Sequence, residues 1–187
     1  FSFHYETRAI LLNCENRVPV TSKKDYAGGI VGRMDLGYIL DCRNYGNVES
    51  TDGSYVGGIA GSSASTIRRS QSKCMASGKN FVGGIAGDGY NLTENLAFVS
   101  IGDGEMYCGA IAGRVDDEGE ISSNRFVENG SAGIDGVSYA GKAEPISYES
   151  LMAEENVPEE FGKFTLTYIA DDTLAGRVSC KYGEPLS

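Results

Sequence analysis

The sequence predicts an all-β chain whose first three quarters form a parallel, right-handed β-solenoid (β-helix) of about five turns, followed by a short helix and a β-hairpin. Three observations carry that expectation: a glycine-rich phrase recurring at near-constant spacing, a second aliphatic-polar phrase locked to it, and 26 glycines in 187 residues, about twice the usual share. The solenoid is expected over residues 1–145. Residues 146–187 are expected to be a cap or the truncated start of a second β-rich domain.

The glycine phrase occurs as Tyr26-Ala-Gly-Gly-Ile-Val-Gly32, Tyr55-Val-Gly-Gly-Ile-Ala-Gly61, Phe81-Val-Gly-Gly-Ile-Ala-Gly87 and Tyr107-Cys-Gly-Ala-Ile-Ala-Gly113, at intervals of 29, 26 and 26 residues. About a dozen residues after each comes an aliphatic residue and a polar cluster: Ile39-Leu-Asp-Cys-Arg-Asn44, Ile67-Arg-Arg-Ser-Gln-Ser72, Leu92-Thr-Glu-Asn95 and Ile121-Ser-Ser-Asn124. An extra copy, Leu11-Leu-Asn-Cys-Glu-Asn16, precedes the first glycine phrase. Repeats of this length are stacked supersecondary units. A unit this short and this rich in glycine cannot hold two helices, and the leucine-rich framework is absent.

A coil of short strands remains, each turn pairing with the next at about 4.8 Å. Stacking explains repetition by residue type, because equivalent side chains then form columns. Ile30, Ile59, Ile85 and Ile111 are expected to make a buried aliphatic column, and Tyr26, Tyr55, Phe81 and Tyr107 an aromatic one. Within the phrase both alternating faces are apolar or small, so the paired glycines are expected to form a left-handed bulge that turns Val56 and Ile59 to one interior. Tyr139-Ala-Gly-Lys-Ala143 reads as a degraded fifth copy, and Pro145 as the end of the pattern.

Beyond Ile146 glycine thins and acidic residues rise. Ser147–Glu155 reads as a short helix with Ser147 as N-cap and Pro158 closing it. Two alternating runs, Phe164–Ile169 and Gly176–Tyr182, flank Asp171-Asp172 and read as a hairpin.

Bulk composition excludes several functions. A formal charge of −10 opposes binding to phosphate backbones and to anionic membranes, and no run approaches the length needed to span a bilayer. Phe1-Ser-Phe-His-Tyr5 carries neither an initiating Met nor a signal pattern, as expected of a segment of a longer protein. Cys14, Cys42, Cys74, Cys108 and Cys180 contain no CxxC pair and read as small core residues rather than disulfides or metal ligands.

No catalytic constellation emerges, and no catalytic, cofactor-binding or metal site is assigned. The strongest candidates are the acidic run Asp116-Asp117-Glu118-Gly-Glu120, the pair Arg68-Arg69, and Asp35 and Asp41, residue types that carbohydrate-cleaving β-helices set side by side. The acidic run reads as a solvated corner or a Ca²⁺ loop. Adjacent arginines on a strand point to opposite faces and make no clamp. His4 is the only histidine, so nucleophile chemistry lacks its usual base. Asn91-Leu-Thr93 and Asn129-Gly-Ser131 match glycosylation acceptors. The aromatic column reads as a packed, groove-filling ladder or, facing outward, as a strip for stacking sugars.

The phrases Val-Gly-Gly-Ile-Ala-Gly and Ile39-Leu-Asp-Cys-Arg-Asn-Tyr-Gly-Asn-Val48 together resemble the GLUG motif of bacterial surface and secreted proteins, over residues 11 to about 143. The segment from Phe164 to Leu186 is similar to the opening of small β-rich repeats strung along such proteins. The resemblance implies a β-solenoid at the cell surface, in the cell wall or outside the cell, acting as a non-enzymatic spacer or adhesive surface with a host or environmental glycan or protein as partner. A carbohydrate-active β-helix domain or an accessory domain of a secreted peptidase is the alternative. A free solenoid end also invites pairing with a second copy.

Overall fold

The computed structural model of the protein describes residues 8–102 and 104–185. The chain divides into two compact units, 1–148 and 149–187. The first is a parallel β-solenoid of about four turns, against the expected five.

Each turn visits three sheets. The first stacks Ala9–Leu12, Gly37–Leu40, Ala60–Arg68, Ala86–Thr93 and Ala112–Val115, with Val31–Met34 and Ile121–Ser122 alongside. The second runs from Glu15–Asn16 through Arg43–Asn44, Gln71–Ser77, Leu96–Ile101 and Asn124–Val127 to Ala143–Ile146. The third has one strand per turn: Ala27–Gly28, Val56–Gly57, Asn80–Gly83 and Met106–Gly109.

Register follows the repeat. The amides of Ile30, Ile59 and Ile85 donate to the carbonyls of Ile59, Ile85 and Ile111 at 3.0, 2.9 and 2.8 Å. Ile59, Ile85 and Ile111 are fully buried, while Ile30 at the column's end is half-buried. A second column aligns Leu11, Ile39, Ile67, Leu92 and Ile121. Burying each such side chain is worth about 1.5–3 kcal/mol, and repetition multiplies that gain without new sequence.

The glycine pair works differently from expectation. Val56 and Ile59 are both buried but belong to separate clusters, because the chain bends at Gly58 and Ile59, between the third sheet and the first, instead of bulging within one strand. Neither Gly57 nor Gly58 has a positive φ. They are glycine because a Cβ would lie 1.9 Å from the Ala60 carbonyl oxygen and 2.1 Å from that of Gly84.

Left-handed backbone falls instead on bulky residues. Tyr26, Tyr55, Phe81 and Tyr107 have φ of 69°, 64°, 56° and 59°, a conformation uncommon for side chains of that size. A second left-handed corner recurs at Asn13, Asp41, Arg69, Glu94 and Ser123. The residue after it uses its side chain to join turns: Cys42 N donates to Ser70 Oγ (3.2 Å), Ser70 N to Asn95 Oδ1 (2.9 Å) and Asn95 N to Asn124 Oδ1 (3.1 Å). These bonds satisfy corner amides that no strand partner reaches.

The closing turn is shorter than expected. Ala110 and Ile111 donate to Ala132 and Gly133 at 2.8 and 2.9 Å, and Ala112 pairs with Ile134. The fifth copy is therefore Ala132-Gly133-Ile134. Tyr139–Ala143, the expected copy, is a tight turn whose ends pair antiparallel. Pro145 does not end the pattern. It lies within the strand Ala143–Ile146, opposite Phe126 at the sheet's edge, where a missing N–H is tolerated.

Around the second unit, the helix is only Tyr148–Met152, and Pro158 precedes a 3₁₀ turn, Glu159–Gly162, rather than closing that helix. Lys163–Ala170 and Thr173–Lys181 form the hairpin. Its two-residue turn, Asp171-Asp172, has φ of 48° and 57°, the signs that a type I′ turn requires.

Candidate functional site

The four aromatic rings form one continuous stack. Centroids are 4.9 Å apart for Tyr26–Tyr55, 4.6 Å for Tyr55–Phe81 and 4.6 Å for Phe81–Tyr107, with interplanar angles of 14°, 1° and 3°. All four are half-buried and belong to neither core cluster. The ladder is thus a groove-filling surface column. Its orientation removes the sugar-strip geometry, since a pyranose stacks on a ring face and both faces of Tyr55 and Phe81 are covered by neighbouring rings. The turn spacing of about 4.8 Å is also a stacking distance, so rings in register cover one another.

Charged side chains flank the ladder. Arg114 donates twice to Asp88, at 2.9 and 3.0 Å, and its guanidinium carbon lies 5.1 Å from the Phe81 centroid. Arg33 sits 5.3 Å from the Tyr26 centroid and bonds Asp35 at 2.8 Å. The hydrogen bonds and charges of their carboxylates raise both guanidinium pKa values.

The candidate catalytic groups do not converge. Arg68 ends a strand and reaches forward to Glu94 (2.7 Å), whereas Arg69, in left-handed backbone, reaches back to Asp41 (2.8 and 2.9 Å). The hydrogen bond from Arg69 holds the Asp41 carboxyl below its ordinary value, with the charges of Arg69, Arg43 and Arg68 adding to it against a smaller burial effect. Asp35 is exposed on the first sheet's rim. The acidic run 116–120 is an exposed turn in which Asp116 Oδ1 accepts the Glu118 amide and Asn91 Oδ1 the Glu120 amide. Among the described residues no group of three or more His, Cys, Asp or Glu is arranged to hold a metal ion. His4 lies outside the described residues.

All five cysteines are free. Burial pushes the Cys74 thiol up to about 12 and raises Cys42 and Cys108, the opposite of an activated nucleophile. Both glycosylation-type asparagines use their side-chain nitrogens internally, Asn91 to Thr66 and Asn129 to the Val99 carbonyl.

Sequence reasoning missed one grouping. Tyr107, Arg114, Asp116, Asp117, Asp135 and Tyr139 line one cleft at the ladder's C-terminal end. Its members come from the fourth glycine phrase, the acidic turn and the shortened closing turn, and no single spacing links them. Among the described residues no helix is long and apolar enough to cross a membrane. Comparison with protein-family models, characterised proteins and solved structures finds no match.

Proposed function

We propose that this chain is a structural module of a bacterial surface or secreted protein, of the GLUG-repeat kind, serving as a stiff spacer or adhesive surface and not as an enzyme. The observation that carries this reading is the turn-to-turn registry of every column: aliphatic, aromatic, corner polar and ionic. Charged groups that an enzyme would gather are spent here between turns, as Asp41 with Arg69, Asp88 with Arg114 and Glu94 with Arg68. Each turn is bonded to the next in three sheets and by the stacked columns between them, so a turn separates only when all of these contacts give way together, which suits a load-bearing spacer.

Single-molecule extension of the chain between reporter domains tests the mechanical role. The expected record is cooperative rupture at a force well above that of a two-stranded hairpin. Gradual lengthening at low force would refute it. Turnover of a polysaccharide panel, abolished by substituting one carboxylate, would replace this reading with the carbohydrate-active one.

A further inference from the structure

The aromatic ladder ends on a ring with one open face. Phe81 covers one side of Tyr107, and among the described residues the third sheet has no fifth strand to supply another ring. After Val127 the chain takes a shortcut: the Asn129 side chain bonds the Val99 carbonyl, and Ala132 already lies opposite Ala110. The missing rung leaves a cleft of about 430 Å³ bounded by Tyr107, Tyr139, Arg114, Asp116, Asp117 and Asp135.

Its polar groups keep bonding capacity in reserve. Among the described residues Asp117 and Asp135 make no side-chain hydrogen bond or ion pair, Asp116 uses only Oδ1, and Arg114 keeps Nη1 free while Nε and Nη2 hold Asp88. An aromatic face beside acceptors that take hydroxyl protons matches the two sides of a pyranose, apolar on its C–H face and polar at its rim. Three carboxylates outnumber the two cations, Arg114, already paired with Asp88, and Lys142, whose Nζ lies 5.8 Å from the Tyr139 centroid, a balance that disfavours acidic sugars.

We propose that this cleft binds the end of a saccharide, a neutral or amino sugar, stacked on Tyr107 with its hydroxyls on Asp117 and Asp135. The site is independent of the spacer role, because the rest of the ladder has no ring face to offer except at Tyr26.

The test is saturation-transfer NMR and calorimetry on the whole chain with methyl glucoside, methyl glucosaminide, methyl glucuronide and tetramethylammonium. Glucoside or glucosaminide is expected to bind and glucuronide not. Tyr107→Leu should weaken binding about tenfold, the value of one aromatic contact, and Tyr26→Leu should leave it unchanged. Asp117→Asn and Asp135→Asn, both at exposed turn positions, should weaken binding without shifting the melting temperature, which separates loss of ligand contacts from loss of fold. Absence of binding by either sugar, binding by tetramethylammonium alone, or equal losses in the Tyr26 and Tyr107 variants would overturn the proposal.

Discussion

The solenoid and the C-terminal hairpin are both β-structure, yet they bury apolar surface in opposite ways. In the solenoid the centre of every turn faces its own kind above and below, so Ile59, Ile85 and Ile111 are sealed. In the hairpin, Phe164, Leu166 and Tyr168 face Cys180, Val178 and Gly176 across the strands, a single pair of strands in place of a stack. Tyr168, Ile169, Leu174, Val178 and Tyr182 stay exposed. Two strands alone are marginally stable. Repetition along an axis supplies what a single pair lacks, a third and fourth neighbour for each side chain.

The largest expected effect tests that contrast directly. Ile85→Ala leaves a cavity in the middle of the column and should cost about 2–5 kcal/mol, while Ile169→Ala in the hairpin should change stability by less than about 0.5 kcal/mol; urea unfolding of the two variants measures both. Equal losses would break the comparison.

Glycine supplies the next pair. Gly58→Ala drives a Cβ to 2.1 Å from the Gly84 carbonyl oxygen and should cost about 1–3 kcal/mol. Gly176→Ala meets nothing within 4 Å and has no positive φ, so it should be neutral or stabilising by about 0.5 kcal/mol. Thermal melting of both proteins checks the difference.

Smaller again is the ladder. Phe81→Leu removes two ring stacks and should cost about 1–2 kcal/mol, with Tyr26→Leu about half of that because it loses only one. A matching cost for both would mean that stacking contributes little beyond burial.

The smallest effect lies on the rim and depends on pH. Because Arg69 depresses the Asp41 carboxyl in the folded state, the ionised group adds stability above the ordinary carboxylate pKa, and that stability is lost as pH falls through the depressed value. Asp41→Asn should therefore cost about 0.2–1 kcal/mol at neutral pH and nothing in strong acid. Denaturation midpoints of both proteins across that range report the crossover.

Much of this architecture was legible because stacking copies residue type into space: Ile30, Ile59, Ile85 and Ile111 are four letters at one phrase position and four rungs of one column. The corners were not legible. Left-handed backbone is ordinarily a glycine signal, but here Tyr55 and Phe81 adopt it while Gly57 and Gly58 serve close backbone approach. The closing turn hid because Ala132-Gly133-Ile134 follows its partners Ala110-Ile111-Ala112 by 22 residues instead of the 26 of the preceding copies, and it lacks an aromatic residue, whereas Tyr139-Ala-Gly-Lys-Ala143 has one. The cleft escaped for the same reason, since it exists only where periodicity fails. Spacing also implies that rings one turn apart cover each other's faces, as the ladder does.

The side-chain relay from Cys42 to Ser70 to Asn95 to Asn124 has a genetic corollary. The corner amides of Cys42, Ser70 and Asn95 are each received by the equivalent residue one coil further on, so a duplicated coil carrying Ser70 or Asn95 arrives with its own donor and its own acceptor and splices in without orphaning either. Half a coil does neither. Length in such a molecule is a digital variable, free to change by whole copies and closed to anything between.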